Sequence, residues 1–120
     1  MKSIVQPKFG EIYWADLKSD GCIQGGRRPV IIAQNDIGNA HSPTTVVIPL
    51  SSQLKSMHLP THTVIKAGSV SGLTKNSVAL AEQVRVINRD QLQNRVGELT
   101  HAELVAVGKA HSIQSPFPAE

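Results

Sequence analysis

The sequence predicts a mainly β fold, a small and mostly antiparallel β-barrel or curled sheet with a C-terminal α-helix packed against it. Three observations predict it. Short β-branched runs recur through the chain as far as Ile87, each bounded by turn residues. One of the early segments alternates apolar and polar residues with a period near two. After Ile87 the pattern changes to two helix-capping signals, the second followed by an apolar face at helical spacing. At 120 residues and 40% hydrophobic content, the chain has the size of one domain with one core, so residues 1–120 are read as a single unit.

Each element has its own justification. "EIYWADL" (Glu11–Leu17) sets Ile12, Trp14 and either Ala15 or Leu17 against polar neighbours, the mark of a half-buried strand. "PVIIAQ" (Pro29–Gln34) and "TTVVIPL" (Thr44–Leu50) are apolar, β-branched and short, which suits strands covered on both faces. Pro49 has no amide hydrogen to give, so it is expected at an edge or a bulge. "THTVIKA" (Thr61–Ala67) and "SVALAEQVRVI" (Ser77–Ile87) bring the total to about five strands. Asn88 and Gln91 form a capping box, with Ile87 and Leu92 as its staple, and predict a short helix that stops by Gly97. Thr100 and Glu103 repeat the box, with Leu99 and Leu104 as the staple. Leu104, Val107, Ala110 or His111, and Ile113 then mark one face of a helix that Pro116 ends.

The composition narrows the function classes. The net charge is +3 and the pI about 9.3, too mildly basic to argue for nucleic acid alone. Its distribution is more telling. Residues 1–95 carry eleven Lys and Arg against six Asp and Glu, whereas residues 96–120 carry one against three. The excess positive charge therefore sits on the strand-rich body, where it suits an anionic partner or an ordinary solvated surface. Cys22 is the sole cysteine, so no internal disulfide forms and the cytosol is the expected compartment. The first ten residues hold no apolar core of signal-peptide length, and no segment has the apolar run needed to cross a bilayer.

Several chemistries are disfavoured by spacing. Pro60 lies between His58 and His62 and denies them a shared helical face, while His101 and His111 are too far apart to clasp one ion. No metal site is expected. Cys22 near Arg27 and Arg28 has no His and carboxylate placed by a nucleophile signature. Neither a P-loop nor a GxGxxG turn is present, so no nucleotide cofactor is expected.

"CIQGGRRPVIIAQND" (Cys22–Asp36) is the stretch that asks for a function. A pre-proline residue is biased toward extended backbone, so Arg28 has a partly fixed base, and the two glycines before it leave room for a tight loop. Arg28, "SSQLK" (Ser51–Lys55) and Glu82 with Gln83 are candidates for one end of the sheet. A guanidinium fork with hydroxyl and amide donors suits a phosphodiester. Taken singly, Arg28 also reads as a surface or salt-bridge residue and Ser51 as a turn residue.

The order of blocks "GEIYWADL", "GGRRPVIIAQNDIGN", "SPTTVVIPLSSQ", "LPTHTVI", "GLTKNSVALAEQVRVINRDQL" and "VGEL", from about Phe9 to Ile113, resembles the MazF/PemK family of toxin endoribonucleases. The resemblance implies an SH3-like barrel of the MazF/CcdB type, a homodimer with single-stranded RNA along its interface, and an antitoxin protein as partner. It also implies sequence-selective, metal-independent cleavage that leaves a 2′,3′-cyclic phosphate and a 5′-hydroxyl. By the same resemblance Arg28 and Ser51 are the catalytic pair, Ser51 standing where a threonine is common, and Glu82 matches the acidic base of one branch. Loops 18–27 and 52–59 are expected to read bases, with Gln24, Arg27, Ser52, Gln53, Lys55, His58 and Gln83 contacting RNA. Two places depart from the family pattern: Cys22 and Ile23 replace a polar residue and a glutamate, and Leu80 replaces the arginine of the acidic-base branch. The alternative on the same barrel is a non-catalytic toxin that binds a protein target such as DNA gyrase.

Overall fold

The computed structural model describes residues 6–17, 26–53 and 59–116. Its first strand, β1 (Glu11–Leu17), lies where the alternation placed it. Its burial differs from the half-buried pattern. Ile12 packs into one core cluster, and Tyr13, Ala15 and Leu17 pack into another on the opposite face. Trp14, whose period matches Ile12, is only partly covered. The sheet thus carries core on both sides, because it curls and its ends are capped by other elements.

β2 (Gly26–Ile32) runs antiparallel to β1, from Ile12 opposite Ile31 to Leu17 opposite Gly26. It begins before Pro29, since β1 is long enough to pair Ala15, Asp16 and Leu17 with Arg28, Arg27 and Gly26. Arg28 is therefore a strand residue. A six-residue helix, α1 (Asp36–His41), comes next with Asn35 as its N-cap. The sequence reading holds no helix here, because six residues show no helical period.

β3 (Thr44–Ser51) is the hub of the sheet. On one side it pairs β2; on the other it pairs first β6 (Arg85–Asn88) and then β5 (Ser77–Leu80). The segment read as one strand, Ser77–Ile87, is split by the 3-10 turn Ala81–Gln83. Pro49 occupies the gap left by that split: it lies opposite Val30 on β2, and neither β5 nor β6 pairs with it. A proline is accommodated there because no ladder on that flank needs its amide.

β4 (His62–Ile65) adds to β5. The Asn88–Gln91 capping box is present but closes only the 3-10 turn Arg89–Gln91, after which the chain extends as β7 (Leu92–Glu98) against β1. The pairing partner overrides the local helix signal. The order is β4-β5-β3-β2-β1-β7, with β6 on β3. The result is an antiparallel, barrel-like sheet of seven strands rather than about five. α2 (His101–Gln114) starts at Thr100 and Glu103 as expected. Val107 enters the core with Leu99, Leu104 packs against it and Ala110 is buried, whereas Ile113 at the end of the face is exposed.

Candidate active site

Arg28 and Ser51 are brought together by the strand register. Val30 on β2 lies opposite Pro49 on β3, and Arg28 and Ser51 are each two residues further on, on the same face of neighbouring strands. Arg28 Nη1 donates to the Leu50 carbonyl at 3.2 Å. This bond and the strand hold the guanidinium at the sheet's end instead of letting it follow solvent. It is partly buried, and the loss of water around it lowers its pKa from the ordinary arginine value without removing its charge. Ser51 is 7% exposed, and its Oγ accepts the Gln53 amide at 3.3 Å. That bond engages the oxygen as an acceptor, so the hydroxyl proton is available to a second partner.

A second cation stands on the same face. Arg85 on β6 pairs with Val47 of β3, and both burial and the positive charge of Arg28 lower its pKa. The two half-buried guanidinium groups are within electrostatic reach of each other, although Arg85 is not among the residues that line the concavity described next. Sequence reasoning passes over Arg85. The alternation in "RVIN" is the signal, since it puts Arg85 on the face of the buried Ile87.

Arg28 and Ser51 line an open concavity of about 410 Å³. Trp14, Pro29, Leu50, Leu73 and Val96 supply its apolar surface, and Arg27, Ser52, Gln53, Thr74, Lys75 and Ser77 supply polar groups. The wall formed by Leu73, Thr74 and Lys75 depends on Gly72. Its φ of +73° suits glycine, and a Cβ there would lie 2.0 Å from the Val96 carbonyl oxygen. Of the expected RNA contacts, Arg27, Ser52 and Gln53 are exposed on this concavity. Trp14, Lys75 and Thr74 are additions that the sequence does not announce. Trp14 is absorbed into the strand pattern, and a lone Thr-Lys pair in a loop carries no signal.

Glu82 and Gln83 sit elsewhere. They lie on the 3-10 turn between β5 and β6, and neither lines the concavity. Glu82 Oε1 accepts Thr61 Oγ1 at 2.7 Å and Oε2 contacts His62 Nε2 at 3.1 Å. Burial alone would raise the carboxyl pKa, but those hydrogen bonds, a backbone bond and the charge of His62 outweigh it and hold the pKa below the usual carboxylate value. Gln24, Lys55 and His58, with the departures at Cys22 and Ile23, lie outside the described residues. Leu80, the other departure, is buried at the end of β5. Among the described residues no three His, Cys, Asp or Glu side chains converge to hold a metal ion.

Residues 8–113 match the family described as PemK-like, MazF-like toxin of type II toxin-antitoxin system. Endoribonuclease EndoA of Bacillus subtilis is 40% identical over 107 residues, covering 88% of this chain and 91% of that protein. Two solved structures share the fold. A mycobacterial endoribonuclease in complex with its cognate antitoxin superposes with a TM-score of 0.77 at 24% identity, covering 95% of this chain and 99% of that one. MazF from Deinococcus radiodurans gives a TM-score of 0.80 at 21% identity, covering 94% and 99%.

Proposed function

This chain belongs to the PemK-like, MazF-like toxin family of type II toxin-antitoxin systems and is an endoribonuclease, and we propose that it cleaves single-stranded RNA, selectively and without metal, at the Arg28 and Ser51 concavity. The observation that carries this reading is a fixed, half-buried guanidinium and a buried hydroxyl at the ends of adjacent strands, both on the wall of one concavity.

The chemistry that fits is transesterification. The 2′-oxygen of one ribose forms a bond to phosphorus as the bond from phosphorus to the next 5′-oxygen breaks. The proton lost by the 2′-hydroxyl is balanced by the one gained at the leaving oxygen. The products are a 2′,3′-cyclic phosphate and a 5′-hydroxyl, and neither water nor metal enters the balance. Negative charge grows on the non-bridging oxygens in the transition state, where Arg28 neutralises it and Ser51 donates a hydrogen bond. Glu82 would serve as base only by exchanging its bonds to Thr61 and His62. Its place off the concavity wall supports a holding role instead.

The toxin works as a homodimer in the cytoplasm, opposed by an antitoxin with a disordered acidic or amphipathic segment that folds over the cationic concavity. Among the described residues no helix is long and apolar enough to cross a membrane. The non-catalytic alternative is not favoured, because the relative at 40% identity is an endoribonuclease. A pool of mixed-sequence single-stranded RNA incubated with the purified protein and a chelator tests the proposal. Fragments with cyclic phosphate and 5′-hydroxyl ends at a recurring short sequence are expected. RNA left intact across all sequences overturns it.

A further inference from the structure

The stack of Arg27 on Trp14 is not used by the cleavage chemistry. The guanidinium carbon lies 4.3 Å from the centre of the indole ring, and Arg27 Nε donates to Gln93 Oε1 at 2.6 Å. Register explains the meeting, since Trp14 on β1 lies opposite Pro29 and Arg27 is two residues along β2 on the same face. A side chain exposed to solvent is thereby fixed from β1 and from β7. Both members of the stack line the concavity that holds Arg28 and Ser51.

We infer that this stack is the platform for one nucleobase of the bound RNA, a base flanking the cleaved bond, with Arg27 contacting the base and Trp14 and Gln93 positioning Arg27. The inference rests on the ribonuclease reading of the same concavity. With its carbon over the indole ring the Arg27 guanidinium adds a second planar group to the aromatic one, and nucleobases stack on arginine and aromatic planes in single-stranded recognition. The Nε edge of Arg27 is already given to Gln93, so one side of the fork that a carboxylate would grip is engaged. What the pair offers is a plane, and a plane suits a base better than an acidic peptide. Pro29 and Leu50 beside the stack supply apolar surface, and Lys75 supplies positive charge for a neighbouring phosphate.

Trp14 is the only tryptophan in the chain, so intrinsic fluorescence reports the platform directly. The probes are a mixed-sequence 2′-O-methyl oligoribonucleotide, which lacks the attacking hydroxyl, an abasic oligonucleotide of equal length and charge, and polyglutamate. The base-bearing probe is expected to quench Trp14 at a concentration on the order of tenfold lower than the abasic one. Equal quenching by the abasic probe, or by polyglutamate, or no response to any of them, overturns the inference. Arg27→Lys keeps the charge and loses the plane, and should raise KM for RNA on the order of tenfold with a smaller loss in kcat. Trp14→Phe should keep most of the wild-type KM and Trp14→Leu should not. An Arg27→Lys protein with wild-type KM also overturns the inference. Wild-type protein that cleaves RNA while its stack ignores bases sinks the platform alone, whereas failure to cleave any RNA sinks the ribonuclease reading and the platform with it.

Discussion

Arg28 on β2 and Ser51 on β3 each lie two residues beyond the last pair of the β2–β3 ladder, Val30 and Pro49, and Arg28 is tied to this end of β3 by its bond to the Leu50 carbonyl. The guanidinium is thus delivered to the concavity by backbone geometry, with little side-chain freedom left to lose when a phosphodiester binds. Arg28→Ala should abolish cleavage, and Arg28→Lys should recover only a small part, since an ammonium lacks the planar fork. The circular dichroism and thermal midpoint of both variants should stay near wild type. Single-turnover cleavage of the mixed RNA pool measures the loss, and an alanine variant with a comparable rate would show that the chemistry lies elsewhere.

Ser51→Ala removes one short donor and little volume from a buried position. If that donor acts on the non-bridging oxygen in the transition state, kcat should fall by a factor on the order of a hundred. Ser51→Thr keeps the hydroxyl and should retain most activity. A wild-type rate in the alanine variant would reduce Ser51 to the turn residue that accepts the Gln53 amide.

Arg28 and Ser51, the pair proposed for catalysis, are legible as site candidates because each has a local cause: a proline stiffens the residue before it, and a hydroxyl ends a β-branched run. The cap of α2 is legible for the same reason, as Thr100 and Glu103 need only each other. β7 is not legible, because the capping box at Asn88 is satisfied by a single 3-10 turn and only the distant edge of β1 decides that the chain then extends. Arg85, Trp14 and Gln93 escape sequence reasoning on the same ground. Their meaning depends on which strands become neighbours, and Gln93 lies in a segment whose local signal is helical.

Glu82 can be assigned by titration. Its folded pKa is depressed, so the stability it contributes is fully present above the ordinary carboxylate pKa and is lost as pH falls through that value toward the folded one. Replacing it by glutamine should cost about 1 kcal/mol at neutral pH, a figure that allows for solvent screening at this partly exposed site. The difference between wild type and Glu82→Gln should then shrink on acidification below the ordinary carboxylate range. Denaturant melts at several pH values measure it. Cleavage by the variant should fall by no more than a few fold, whereas loss of activity together with a changed pH–rate profile would make Glu82 the base after all.

Gly26 and Gly72 separate two reasons for a glycine. Their φ angles are nearly alike, at +75° and +73°, but a Cβ on Gly26 would meet no described residue within 4 Å while one on Gly72 would lie 2.0 Å from the Val96 carbonyl oxygen. Gly26→Ala should therefore cost only the left-handed penalty, about 1 kcal/mol. Gly72→Ala adds a backbone clash that no rotamer can relieve, and should cost about 3 kcal/mol or more. Because the clash pushes the chain before Leu73, Thr74 and Lys75 away from β7, Gly72→Ala should also raise KM for RNA under conditions where the protein remains folded. Denaturant midpoints with unchanged slopes, together with kinetics at low temperature, check both parts. Equal losses in the two variants would mean that φ alone decides, and that the close approach of Gly72 to Val96 does not hold the wall.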